Sequence, residues 1–341
     1  MKRVNGAFYN SYQVMKKAIK KVGVLTSGGD APGMNAAIRA VVRTAIFYKL
    51  EVLGIRRGYQ GLIEGDFVEM ESPSVSKIIN LGGTILHTSR CPEFKDFKVR
   101  RAAIDGLKAA GVDALVVIGG DGSFRGANAI CQDFDFPVVG IPATIDNDIF
   151  GTDFTLGFDT AINTAMEAID KIRDTAHSHD MVFFVEVMGR DAGFIALHTG
   201  IATGAEVTLI PEVYNDIDSL VDYLQMGRRK NKTSGIIVVA EGGQLGSAVE
   251  VAQKVKDRIP SYETRVTTLG HIQRGGNPTC SDRVLASIYG YESICALLDG
   301  RTGVMIGRVA GKTVYTPFEE AISKHNAVDR SWYEITKILS V

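Results

Sequence analysis

The chain has 341 residues, 45% hydrophobic and 23% charged, which is enough apolar material for a large core and enough length for about two domains. Lys and Arg number 38 against 39 Asp and Glu, so the broad basic face of a nucleic-acid binder is excluded and any basic site has to be local. Four scattered cysteines, Cys91, Cys131, Cys280 and Cys295, lack the spacing of a disulfide framework or zinc site, and no apolar run nears the roughly 20 residues that cross a bilayer; a cytoplasmic protein without membrane or nucleic-acid partners is expected.

Residues 1–20 carry no clear period and are read as an N-terminal extension, with Met15 an alternative start. Residues 22–25 then read as a strand, 28–33 as a turn, and 35–48 as a helix with Ala, Ile and Val on one face. A strand at 52–55 and a helix at 75–81 follow, and a basic loop at 89–98 leads into a helix at 99–110. The apolar runs 114–118 and 136–141 read as buried parallel strands. In the second half, strands are expected at 182–187, 206–210, 236–240 and 265–268, separated by helices. This alternation predicts an α/β fold of doubly wound, mainly parallel sheets, with the active site in a cleft between two domains that share an extensive interface.

The second of those apolar runs ends in Pro142-Ala143-Thr144-Ile145-Asp146-Asn147-Asp148. Its polar residues would emerge at the carboxyl end of the strand, where open α/β sheets bind ligands. Carboxylates two residues apart repel each other unless a cation, a proton or a hydroxylic substrate shares the site. An ordinary Asx turn is the competing explanation.

Two glycine-rich turns fit the same chemistry. Gly28-Gly29-Asp30-Ala31-Pro32-Gly33-Met34-Asn35 lies between a strand and a helix, where backbone N–H groups and the helix dipole favour a phosphate. It is neither a Walker sequence, since Met34 and Asn35 stand where Lys and Ser or Thr are required, nor G-x-G-x-x-G. Gly119-Gly120-Asp121-Gly122-Ser123 follows the most apolar strand. There Asp121 would hold Mg²⁺ while the glycines let phosphates approach the backbone. Arg90, Arg190, Arg265, His271 and Arg274 are the dispersed basic groups, two of them in Gly-rich contexts directly after strands.

Taken in order, the segments 28–35, 119–123, 144–148, Met188-Gly189-Arg190 and Leu269-Gly270-His271-Ile272-Gln273-Arg274-Gly275-Gly276 resemble the bacterial-type 6-phosphofructokinases. The resemblance runs from about residue 21 to the C-terminus. It implies ATP-dependent phosphorylation of the 1-hydroxyl of fructose 6-phosphate, with Mg²⁺, in a homotetramer whose sugar-phosphate sites lie between subunits. It also implies a larger nucleotide-binding domain at 21–157 plus about 273–323, and a smaller sugar-phosphate domain at about 158–272 plus 324–341.

By the same resemblance, Asp146 is the general base, Thr144 and Arg190 support the transferring phosphoryl group, and Asp121 and Asp148 are the Mg²⁺-side carboxylates. Gly29, Arg90, Cys91, Gly119, Gly122 and Ser123 correspond to nucleotide contacts. The sugar-phosphate contacts are Met188, Gly189, Glu241, His271 and Arg274, joined by Thr144, Asp146, Asp148 and Arg190, with Arg265 lent by a neighbouring subunit. Arg39, Arg43, Arg173, Glu206, Arg229, Lys230 and Lys232 fit the family's effector pocket.

Pyrophosphate-using relatives carry Asp at the position of Gly122 and Lys at that of Ala143, so these residues imply ATP as donor. Several positions depart from the family pattern: Ala143 replaces Gly, His87 replaces Gly, and Ser72 and Lys77 replace an effector-site Arg and Asp. Met181 stands where a second intersubunit Arg is usual, leaving two alternatives open: a kinase for another sugar or sugar phosphate, and a weakly catalytic regulatory paralogue.

Overall fold

The computed structural model describes residues 19–214, 216–229 and 232–340. The N-terminal extension expected at 1–20 therefore lies almost wholly outside the described residues, as does the candidate effector residue Lys230. The chain is an α/β protein. The described residues open with β1 (Lys21–Ser27), α1 (Met34–Phe47), β2 (Glu51–Ile55), α2 (Gly58–Glu64) and β3 (Phe67–Glu69). Next come α3 (Phe97–Ala109), β4 (Ala114–Gly119), α4 (Asp121–Phe134), β5 (Val138–Pro142) and the long α5 (Phe158–His179). The second half runs β6 (Val182–Val187), α6 (Phe194–Thr203), β7 (Val207–Leu209), α7 (Ile217–Arg229), β8 (Gly235–Ala240), α8 (Ala248–Arg258) and β9 (Thr264–Thr268). It closes with α9 (Cys280–Leu298), β10 (Val304–Val309), β11 (Lys312–Pro317), α10 (Phe318–Ser323) and α11 (Arg330–Leu339).

The strands form a seven-stranded sheet, in order β11-β10-β5-β4-β1-β2-β3, and a four-stranded sheet, β7-β8-β6-β9. Among the described residues the strands pair in parallel except β2 with β3 and β10 with β11 at the two edges of the larger sheet. β4 and β8 are buried along their whole length, the expected fate of strands covered by helices on both faces. Alternate residues of β4 feed different layers: Ala114, Val116 and Ile118 join a cluster that continues into Val185 and Val238 of the smaller sheet. Leu115 and Val117 face the opposite way, towards Phe94, Phe124 and Phe318. One apolar layer is thus continuous between the two sheets.

Local sequence explains several boundaries. The Asp96 carboxylate accepts from the backbone N–H groups of Lys98 and Val99 and starts α3. Ser247 and Glu250 form a reciprocal capping box at α8. The helix expected at 75–81 is not formed. Only a 3₁₀ turn, Pro73–Val75, stands there, and Lys77 adopts a left-handed φ of 61° that breaks a helical path. The end of this segment and the chain just after it are held by Asn35. The Asn35 side-chain amide donates to the carbonyls of Leu81 and Gly82, and its oxygen accepts from Ile85 N–H.

Candidate active site

Register places the expected motifs side by side. Ser27 pairs with Gly119 and Gly119 with Pro142, so the loops after β1, β4 and β5 leave the larger sheet together at its carboxyl ends. In the smaller sheet Val187 pairs with Ala240 and Glu186 with Thr268. Met188–Arg190, Glu241 and the turn Gly270–Arg274 therefore emerge together as well.

Side chains join these loops. The Ser123 hydroxyl donates to the Ser27 carbonyl, and the Thr88 hydroxyl donates to the Gly28 carbonyl, bringing the strand-free segment before Arg90 and Cys91 onto the first glycine turn. A Cβ on Gly120 would lie 3.8 Å from the Thr144 Cβ. Arg274 reaches across from the smaller-sheet side: its Nη1 donates to the Asp30 carbonyl at 3.2 Å. Met188 N–H donates to the buried Gln273 side-chain oxygen, and Arg190 N–H donates to a Glu241 carboxylate oxygen. Arg190 adopts a left-handed φ of 57°, an uncommon conformation for a side-chain-bearing residue.

At the centre lies Asp146, 8% exposed. The Thr144 hydroxyl accepts from the Asp146 N–H and donates to its carboxylate. Burial, then the neighbouring Asp148 charge, push the Asp146 carboxyl up; Arg274, Thr144 and Arg190 oppose that rise. Burial likewise raises Asp148, with Asp121 adding to the rise and His325 and Arg190 among the opposing groups. Asn147, at φ 56°, bonds Thr155 N–H and the Asp153 carbonyl through its side chain, holding the turn between the two carboxylates. Two loops carrying like charges are therefore pressed together beneath two arginines. That arrangement suits a carboxylate that accepts a proton beside an anionic ligand.

The family model for Phosphofructokinase matches residues 21–297. The chain belongs to the phosphofructokinase family. It is 53% identical over 323 residues to the ATP-dependent 6-phosphofructokinase 2 of Bacteroides thetaiotaomicron, covering 95% of this chain and 99% of that protein. The ATP-dependent 6-phosphofructokinase of Thermotoga neapolitana is 54% identical over 322 residues, covering 94% and 100%. Among solved structures, phosphofructokinase from Saccharomyces cerevisiae superposes with a TM-score of 0.82 at 38% identity, covering 89% of this chain and 45% of that one.

Within this phosphofructokinase fold, not every expected site residue reaches Asp146. Gly29, Gly119, Gly122, Ser123, Thr144, Asp148, Met188, Gly189, Arg190, Glu241, His271 and Arg274 all stand at the carboxyl ends of the strands. Arg265 does not: it pairs with Phe183 near the amino end of β6, and its guanidinium meets Glu263. Met181 immediately precedes β6 at that same end.

The expected effector residues form separate groups. Arg173 contacts Glu206 at 3.6 Å and donates to the Thr203 and Gly204 carbonyls. Lys232 donates to the Ser340 carbonyl. Arg39 lies beside Arg43 on α1, its pKa lowered by burial and then by that neighbour. Arg229 is exposed at the end of α7. No hydrogen bond or ion pair among the described residues joins the α1 pair to Arg173 and Glu206. A cavity of about 400 Å³ opens between α7, α11 and the edge of β7, lined by Glu206, Thr208, Tyr223, Tyr333 and Ser340, away from the Asp146 cluster. Sequence reasoning missed Gln273, Asn147 and Asn35 as organisers. All three were within the recognised motifs, but the organising role of Asn35 shows only in its contacts 46 to 50 residues away.

Proposed function

We propose that the protein transfers the γ-phosphoryl group of ATP to the 1-hydroxyl of fructose 6-phosphate, giving fructose 1,6-bisphosphate and ADP, as a cytoplasmic glycolytic enzyme. The observation that carries this reading is the buried Asp146 carboxylate, pressed between Thr144, Arg190 and Arg274 where the glycine-rich loops and the smaller-sheet loops converge. The family membership and the names of the close relatives support the same reaction.

In this reading Asp146 takes the proton of the sugar 1-hydroxyl as its oxygen bonds to the γ-phosphorus and the bond to the β–γ bridging oxygen breaks. Arg190 and Thr144 meet the charge on the transferring group. Gly29, Arg90, Cys91, Gly119, Gly122 and Ser123 bind the nucleotide, with Arg90 placed against its phosphates. Met188, Gly189, Glu241, His271 and Arg274 hold the sugar phosphate. A neighbouring subunit in a homotetramer supplies Arg265, in keeping with its distance from Asp146 within one chain. The chain divides into a nucleotide-binding part at 21–157 plus about 273–323, and a sugar-phosphate part at about 158–272 plus 324–341.

The carboxylates suit Mg²⁺. Asp121 Oδ1 is buried without a hydrogen-bond partner, and the Asp121 charge bears on Asp148. No cluster of three or more His, Cys, Asp or Glu exists among the described residues. Magnesium is commonly held by one or two carboxylates together with substrate phosphates and water. Asp121 and Asp148 would hold the ion, which when bound would neutralise charge on the β- and γ-phosphates.

Arg39, Arg43, Arg173, Glu206, Arg229, Lys230 and Lys232 would form an effector site shared between subunits. The donor follows from Gly122 and Ala143: a Cβ at Gly122 would meet nothing within 4 Å, leaving that side of the loop open for a nucleotide. A coupled assay over ATP, pyrophosphate and several sugar phosphates tests the proposal. ATP with fructose 6-phosphate should be turned over far faster than any other pair. A faster reaction with pyrophosphate or another sugar would overturn it.

A further inference from the structure

Asp282, in the first turn of α9, is 1% exposed and lies outside every motif that marks the chemistry. No Lys, Arg or His forms an ion pair with it among the described residues. Its carboxylate accepts three hydrogen bonds instead, all from the start of α5: Gly157 N–H at 2.9 Å, Thr160 N–H at 2.9 Å and the Thr160 hydroxyl at 2.5 Å. A buried charge satisfied by neutral donors at a helix N-terminus is favoured by the helix dipole and costly to leave unpaired. The contact is reciprocal. Thr279, the N-cap of α9, donates its N–H to the Thr160 hydroxyl and its own hydroxyl to Asp159 of α5.

This junction falls where the chain passes between the sheets. α5 carries the chain from β5 of the larger sheet to β6 of the smaller, and α9 carries it back from β9 to β10. The first crossing is tied to the reacting carboxylates. Thr155 donates its hydroxyl to the Thr144 carbonyl and its N–H to the Asn147 side chain, and Leu156 N–H donates to the Pro142 carbonyl. The first glycine turn touches the same point: a Cβ on Gly33 would lie 3.6 Å from Asp282 Cβ. Gly157, at φ 96°, lets the backbone pass within reach of Ala31, whose Cβ is 2.7 Å from where a side chain would begin. Beyond the junction, α5 packs against α6, β6, β8 and the turn that carries His271 and Arg274.

We propose that Asp282 is a positioning residue: by locking the N-terminus of α5 to that of α9 it sets the smaller-sheet groups Met188, Arg190 and His271 at the right distance from Asp146. It touches neither substrate. Its loss should therefore weaken the sugar-phosphate side of the site more than the nucleotide side, which meets Asp282 at Gly33 of the first glycine turn but is otherwise carried by loops of the larger sheet. The inference rests on the substrate assignment above.

Steady-state kinetics of the full chain, with ATP affinity measured separately by calorimetry without sugar, test it. In Asp282→Asn, where an amide NH₂ replaces one acceptor oxygen, KM for fructose 6-phosphate should rise about 10- to 100-fold and kcat should fall, while ATP affinity falls by clearly less than the sugar KM rises. Thr160→Val, which removes the hydroxyl at the centre of the network, should shift the sugar KM the same way by about 10-fold, and Thr160→Ser, which restores the hydroxyl, should return it near wild type. An unchanged sugar KM in folded Asp282→Asn, or an equal loss of ATP affinity, would overturn the role. If Asp282→Asn does not fold, the Thr160 pair decides, and Thr160→Ser behaving like Thr160→Val counts against it. Wild-type protein inactive on fructose 6-phosphate would instead sink the substrate assignment.

Discussion

Arg274 fills the space that a side chain at residue 29 would need. A Cβ on Gly29 would lie 2.5 Å from the Arg274 Nη1, and the same guanidinium opposes the rise that burial imposes on the Asp146 carboxyl. Glycine at this position thus does more than turn the chain: it admits Arg274, proposed to hold the sugar phosphate, into the turn proposed to bind the nucleotide.

Gly29→Ala should displace that guanidinium, because the side chain and not the backbone has room to yield. KM for fructose 6-phosphate should rise by about 10-fold, the order of one charge-assisted hydrogen bond. An unchanged KM would show that Arg274 does its work from another rotamer.

Asp146→Ser should cut kcat by about 10²- to 10⁴-fold, the contribution of a general base, with fructose 6-phosphate binding nearly intact. Stopped turnover with retained binding by calorimetry is the expected pair of results. A variant with most of its activity would remove Asp146 from the mechanism.

Met181 precedes Val182, which pairs with Thr264, the residue before Arg265. The two positions are neighbours at the amino end of their strands, so a site that uses one from an adjacent subunit is within reach of the other. Met181→Arg should add a charge-assisted contact to the sugar's 6-phosphate and lower the apparent KM by roughly 10- to 100-fold, with a smaller effect on kcat. Fructose itself should gain nothing. An unchanged or higher KM in correctly assembled protein would place Met181 away from that phosphate.

Burial pushes the Asp282 carboxyl up to about 6 from an ordinary 3.8, against the pull of its Thr160 and Gly157 donors. Between those values the folded chain holds a proton that the unfolded chain has released, so this group's contribution to stability is complete below about pH 4 and is lost as pH rises through 6. The span corresponds to about 3 kcal/mol. Denaturant unfolding of wild type and Asp282→Asn at pH 4.5 and 7 should therefore show wild type gaining on the variant as the pH falls. The opposite slope would mean that the donors outweigh burial.

The chemistry was legible in the sequence because it is written in short segments. Glycines and carboxylates placed directly after apolar runs announce strand ends, and strand ends in a parallel sheet converge wherever the strands pair; segments 28–35, 119–123 and 144–148 needed only the register Ser27–Gly119–Pro142 to become one site. The helix expected at 75–81 failed for the converse reason. Lys77 takes a left-handed φ within it, and the chain at and just beyond its end is held by the side chain of Asn35, a non-local contact that no window of sequence contains. The antiparallel hairpin of β10 and β11 at the sheet edge was not foreseen either. Tertiary structure put Arg265 and Met181 at the strand ends opposite Asp146, a separation in keeping with the intersubunit roles that the family resemblance implies. It alone gave Asp282 a meaning: a carboxylate in the first turn of a helix is ordinary until folding brings it against donors 122 and 125 residues away, where burial without a cation makes every one of those hydrogen bonds matter.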